Sequence, residues 1–355
     1  MLFIMGFASF LTLTLAALGC RLEWLEEQFR HVAWHGLRFE DTIFPLFLFL
    51  AGVSWPFSLA KRRARGDSTA AILRKIVSRG LTLALLGFVY NGVLKFDFPN
   101  MVWGAVLTRI GIAWALAAAL SVFAGTRTRI GIAAAILLAH WAICVLVAAP
   151  DAPAGADPLS VEGCFAGWLD RTLLPGRLTQ PGLISNQGVL STFPAVVTAM
   201  LGVFAGELLR RTDLSGGRKA ALLAAGAAGL VCAGIGVAFG FGRYSMPFNK
   251  ILWSSSFVLA VGGYSAAMLA LFYWLIDVKG WWRRTLFFRV IGMNSITIYM
   301  ANGIMGFGLF ATFFFGGVAG LLPDAWGKAL LAGATVGFEW LFLYFLYRKE
   351  VFLRV

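Results

Sequence analysis

The chain has 355 residues, 59% hydrophobic and only 13% charged, with a mean hydropathy of +0.80. Soluble domains carry about 25% charged residues, so the composition excludes an ordinary water-soluble enzyme. The net charge of +13 does not point to nucleic acid either, because the basic residues fall in short segments between apolar runs, where they orient a membrane protein.

The apolar runs are roughly 18 to 24 residues long, enough for a helix to cross a ~30 Å hydrocarbon core. In chain order they predict ten spans, near 1–18, 42–60, 76–94, 105–124, 130–149, 191–209, 220–240, 251–276, 286–303 and 329–347. The first, "MLFIMGFASFLTLTLAAL", lacks a basic leading region and a small-residue cleavage site, so it does not read as a signal peptide. The expected fold is an all-α transmembrane bundle forming a single integral membrane domain over 1–355, with an outer loop at 150–190. The segment 305–322 reads as re-entrant or interfacial, with an eleventh span as the alternative. One set of loops, with the C-terminal tail, holds 20 of the 30 Lys and Arg residues. That set is expected to be cytoplasmic, which puts the 150–190 loop on the periplasmic side of an inner membrane.

Cys144 and Cys232 lie inside apolar runs and read as packing residues. Cys20 and Cys164 both fall on the outer side of this topology, where a disulfide is one option. The small residues of "LLAAGAAGLVCAGIGVAFGFG" allow close helix packing. A homodimer built on such faces is the other use they permit.

The scarce ionisable groups mark where chemistry is expected, because charge at membrane depth is expensive. "HVAWHGLRFEDTIFPLFLFLAG", 31–52, holds His31 and His35, then Glu40 and Asp41, and runs straight into the second span. On a helix the two histidines would share a face. No third ligand accompanies them, so no metal is expected. One imidazole as general base or acyl acceptor fits better. Asp41 would orient it, cap the second span, or do both. Trp34, His35, Arg109 in "AVLTRIG", Asn249 and Lys250 in "PFNKILWSSS", and Asn294 in "GMNSITIYMAN" suggest a polar cavity for a substrate. His140 reads as a packing histidine, and Glu339 has no evident partner. On the cytoplasmic side, Arg63, Arg74, Lys75 and Arg79, then Arg283 and Arg284 beside two tryptophans, satisfy the positive-inside rule unaided. They also suit a phosphate-bearing nucleotide such as coenzyme A.

"HVAWHGLRFEDTIFPLFLFLAG", "AVLTRIG", "GWLDRTLLPGRL", "GVLSTFPAVVTAMLGVFAGELL", "PFNKILWSSSFV", "DVKGWWRRTLFF", "GMNSITIYM" and "LYRKEVF" follow one another in an order that resembles the heparan-α-glucosaminide N-acetyltransferase family and its bacterial relatives. The resemblance covers residue 20 to the end. It implies a membrane acyltransferase that takes acetyl-CoA from the cytosol and delivers acetyl to a glucosamine amine at the outer face. It implies His31 as the active-site histidine, His35 at a variable place, and family positions at Asp41, Arg109, Asn249, Lys250 and Asn294. The chain departs from the pattern late in the first span, where "MGFASFL" offers Ser9 instead of an Asn. The segment that usually precedes this span is absent, as is the large luminal domain of the animal enzymes. These departures leave the acceptor open, and an amino-sugar transporter is the alternative function.

Overall fold

A computed structural model describes residues 1–180 and 182–353, apart from the side chains of Arg283 and Arg284. Among the described residues there is no β-strand, only isolated bridges such as Ala148–Cys164. The α-helices are α1 (Phe7–Ala17), α2 (Glu23–Gln28), α3 (Phe39–Ala64), α4 (Thr69–Tyr90), α5 (Val106–Phe123), α6 (Thr126–Leu146), α7 (Phe165–Leu173), α8 (Thr192–Arg210), α9 (Gly216–Phe239), α10 (Ser255–Tyr273), α11 (Leu286–Met293), α12 (Ser295–Ile304), α13 (Phe307–Leu321) and α14 (Asp324–Arg348).

Among the described residues seven helices are long and apolar enough to cross a membrane: α3, α5, α6, α8, α9, α10 with its π-helical extension to Val278, and α14. The number rises to eight if α12 and α13 form one span, and they meet at 70°. The expectation of about ten spans is therefore corrected, for three local reasons. The run 1–18 yields only the 11 residues of α1; it starts after Gly6 at φ 85 and is about 16 Å long at 1.5 Å per residue. The run 76–94 extends past the end of α4 at Tyr90, and that helix carries Arg74, Lys75 and Arg79. The run 286–303 breaks at Asn294 into α11 and α12. The bend into α13, over the expected re-entrant segment, is that of a broken span or a re-entrant loop.

The chain divides into two compact bodies, Val32–Lys279 and Met1–His31 with Gly280–Val355. In the first, α3 and α8 lie in near backbone contact because Gly52, Gly202 and Gly206 have no side chains: a Cβ on Gly202 would overlap the Phe49 carbonyl, and one on Gly206 the Val53 carbonyl. Close approach of this kind is how membrane helices gain packing energy when lipid is as apolar as leucine. Trp55 and Trp114 pack edge to face at 5.6 Å in the core, and each indole N–H finds an acceptor, Ser121 Oγ at 2.7 Å and the Ala51 carbonyl at 3.1 Å. α3 carries Glu40 and Asp41 in its first turn and Lys61, Arg62 and Arg63 in its last, matching the helix dipole at both ends. In the second body Met5, Val290, Ile298 and Leu343 form the core, and Trp340 stacks on Phe287 and Tyr344.

The four cysteines are free thiols; Cys20 is exposed in one body and Cys164 buried in the other.

Candidate active site

The two histidines do not share a helix. α2 ends at Gln28 and α3 begins at Phe39, leaving irregular backbone between. Gly36 sits at φ 133, a conformation that glycine adopts at no steric cost. Its N–H donates to the Phe248 carbonyl at 2.7 Å, tying this strap to the segment before α10. His31 is exposed and is the last residue of its body. His35 belongs to the other body, keeps an exposed edge, and packs against Trp34 at 5.7 Å. Trp34 is fixed in turn by its indole N–H, which donates to the Leu159 carbonyl at 2.8 Å.

Asp41 is 1% exposed. Its Oδ2 takes the Arg38 N–H at 3.2 Å, completing the cap of α3, and the Val32 N–H at 3.5 Å. Val32 directly follows His31, so the carboxylate grips the strap one residue beyond that histidine. Oδ1 of Asp41 lies 3.4 Å from Lys250 Nζ. Burial pushes the Lys250 ammonium below its usual value, and the charge of Asp41 opposes that shift. The cap and the ion pair coexist on one acid.

Asn249, fully buried, organises the turn that presents Lys250. Its Oδ1 accepts the Leu252 N–H at 2.8 Å and its own N–H donates to Ser254 Oγ at 3.0 Å. Its Nδ2 lies 3.4 Å from His35 Nδ1, and an amide donor there makes Nδ1 the acceptor and leaves the ring proton on Nε2. Desolvation lowers the His35 pKa from 6.5, opposed by the Leu159 carbonyl and the charge of Asp157. The structure thus brings together His35, Asp41, Asn249 and Lys250, residues up to 215 positions apart.

Arg109, at the start of α5, is 2% exposed. Its Nη2 donates to the Gly188 carbonyl at 3.3 Å and to Ser191 Oγ. Its guanidinium lies 5.0 Å from the centre of the Trp253 ring. Trp253 is itself fully buried at φ 53, a region that costs a bulky residue energy and that surrounding structure must enforce. Thr198 Oγ1 holds its indole N–H at 3.1 Å. Arg109 also lines a cavity of about 380 Å³ with Phe88, Trp103, Ile112 and Phe193.

A second cavity, of about 560 Å³, lies at the other ends of α3, α5 and α8, lined by Trp55, Arg63, Arg129, Glu207 and Arg210 among others. Asp41 and Arg63 are 22 residues apart on α3, or roughly 33 Å at 1.5 Å per residue, about the thickness of a hydrocarbon core. Of the residues expected to hold coenzyme A, Arg63 reaches this cavity. Arg79 instead stacks on Trp114 at 4.3 Å, Arg74 and Lys75 are exposed on α4, and the side chains of Arg283 and Arg284 lie outside the described residues. The sequence reading missed Arg129 and Glu207 as a pair: Arg129 is 4% exposed and its Nη2 donates to both Glu207 oxygens at 2.8 and 3.0 Å. An acid inside the apolar run "GVFAGELL" was the available signal. Asn294 is buried in the other body, where its Nδ2 donates to the Val290 carbonyl at 3.5 Å. His140 is buried beside Cys144 Sγ at 3.6 Å.

The fold is that of a polytopic helical membrane protein with a charged, hydrogen-bonded cluster at one end of its spanning helices and a basic cavity at the other. The chain is a distant relative of two curated transferases. It is 28% identical over 330 residues to the heparan-alpha-glucosaminide N-acetyltransferase of Mus musculus, covering 78% of this chain and 49% of the relative. It is 27% identical over 389 residues to the Homo sapiens protein of the same name, covering 92% of this chain and 56% of the relative. The chain therefore spans about half the length of the curated relatives it matches. No family model matches it.

Proposed function

We propose that the chain is a membrane acetyltransferase that carries an acetyl group from acetyl-CoA on the cytoplasmic side to the amine of an amino sugar on the outer side of a bacterial inner membrane. The observation that carries this reading is the placement of two chemically different sites at opposite ends of α3, α5 and α8. The basic cavity at Arg63, Arg129 and Arg210 suits the phosphates of coenzyme A, with Trp55 nearby to pack on its organic portion. The cluster at Asp41, Asn249 and Lys250 offers a carboxylate, an amide and an ammonium to a hydroxyl-rich amine. The names of the two relatives supply the acetyl group and the amino sugar as chemical classes.

His31 is the proposed acetyl-handling residue. Asp41 holds the strap at Val32, the residue that follows His31 in the chain. In direct transfer the amine adds to the thioester carbonyl, the C–S bond breaks, coenzyme A leaves as a thiolate, and His31 takes the amine proton. In a two-step transfer His31 attacks the thioester first and the amine then displaces imidazole from the acetyl group; the atoms balance either way. Trp34, His35, Arg109, Asn249 and Lys250 are proposed to hold the acceptor. Arg63, with Arg129 and Arg210 beside it, is proposed to hold the donor.

The test is acetyl transfer from labelled acetyl-CoA to glucosamine by the purified protein in nanodiscs. Wild type should form N-acetylglucosamine, and His31→Ala should lose about 10²–10⁴ in rate, the usual share of a general base. Label retained on wild-type protein but not on His31→Ala selects the two-step route. No coenzyme A binding, together with uptake of labelled amino sugar into vesicles, would establish a transporter instead.

A further inference from the structure

Asp170 plays no part in the chemistry described above, yet it is 1% exposed and sits in the short outer helix α7. Its carboxylate bonds backbone: Oδ2 accepts the Ser185 N–H at 3.1 Å and Oδ1 the Val189 N–H at 2.8 Å. The turn between those residues is moulded on the acid, since a Cβ on Gly188 would overlap the carboxylate oxygens. The same turn presents the two acceptors of Arg109, the Gly188 carbonyl and Ser191 Oγ. Its neighbour Arg171 bonds to Asp151 at 2.7 Å and to the Leu183 carbonyl at 2.6 Å, and it too acts on the Asp170 charge.

We propose that Asp170 is a positioning residue for Arg109, acting through the 185–191 turn to fix the guanidinium that faces the acceptor. A buried charge whose bonds are to backbone N–H groups is a costly way to pin a turn, which a neutral side chain does more cheaply. The cost has a purpose if the charge also steadies a buried cation. Asp170 and Arg109 do interact electrostatically across the turn. Burying two opposite charges with a shared hydrogen-bonded spacer orients both of them.

The inference rests on the acetyltransferase reading for its kinetic consequence, not for its geometry. Asp170→Asn keeps the shape and removes the charge. Ser191→Ala removes one acceptor of Arg109 and leaves Asp170 intact. Each should raise KM for glucosamine about tenfold, as loss of a ground-state contact does, while KM for acetyl-CoA stays within about twofold. A structure of the Asp170→Asn protein should show Arg109 withdrawn from Gly188 and Ser191. Arg109 unmoved in that structure overturns the proposal, and so does an equal rise in both KM values. If wild type acetylates no amino sugar, the acetyltransferase reading fails, and the position of Arg109 in the variant structure alone decides.

Discussion

Lys250 Nζ lies 3.4 Å from one oxygen of Asp41, whose other oxygen caps α3 through the Arg38 N–H at 3.2 Å. One carboxylate thus joins the start of a spanning helix to a turn more than 200 residues away in sequence. Asp41→Ala removes a cap, worth about 0.5–2 kcal/mol, and takes the Asp41 carboxylate away from Lys250. Lys250→Met takes the ammonium away from the buried acid. Both single variants should unfold at lower denaturant in mixed micelles. The double variant should cost less than their sum, with a coupling of about 1 kcal/mol or more. Strict additivity would show that the pair contributes nothing.

His35 gives a pH signature of known sign. Its folded pKa lies below the ordinary 6.5 because burial disfavours the cation. Between the two values the unfolded chain binds a proton that the folded protein refuses, so stability falls as pH drops through 6.5 toward the folded value. Wild type should therefore lose more stability between neutral and mildly acid pH than His35→Asn does. Equal slopes for the two proteins would place His35 in ordinary solvent.

The close contact of α3 and α8 separates glycines by environment. Gly202→Ala puts a methyl group onto the Phe49 carbonyl, whereas a Cβ at Gly226 of α9 meets nothing within 4 Å. Gly202→Ala should destabilise by about 1–3 kcal/mol through overpacking. Gly226→Ala should be neutral or stabilising by up to ~1 kcal/mol through helix propensity. Thermal unfolding in detergent measures both, and a stable Gly202→Ala protein would mean that the helices pack elsewhere.

The Arg129–Glu207 pair tests the donor cavity. Arg129→Gln should raise KM for acetyl-CoA about tenfold, the usual size of one lost charge-assisted contact, and leave KM for glucosamine unchanged. Glu207→Gln should do the same more weakly, because it frees Arg129 without removing its charge. Competition by coenzyme A lacking an acetyl group reads the same site by binding alone. A change in glucosamine KM alone would move the donor elsewhere.

Seven of the ten expected spans coincide with the seven long apolar helices, because an unbroken apolar run of that length has few other folds available. The others failed where one residue outweighed the run's composition. Gly6 and Asn294 break helices, and the cations of α4 lie within the helix itself. At the site, Asp41, Asn249, Lys250 and Arg109 were legible as polar residues where polarity is expensive. Their partners were not. Arg129 and Glu207 are 78 positions apart, Asp170 bonds the backbone N–H groups of Ser185 and Val189, and the φ of 53 at Trp253 leaves no trace in residue type. The helical spacing of His31 and His35 misled, because Gly36 and its bond to Phe248 shape that strap.

Transfer across the bilayer is the central claim, and sidedness tests it most directly. Glucosamine would be trapped inside proteoliposomes and labelled acetyl-CoA, which cannot cross, supplied outside. Labelled N-acetylglucosamine inside the vesicles, lost in His31→Ala, is the predicted result. Product formed only when both substrates share one side, or no product at all, would contradict it.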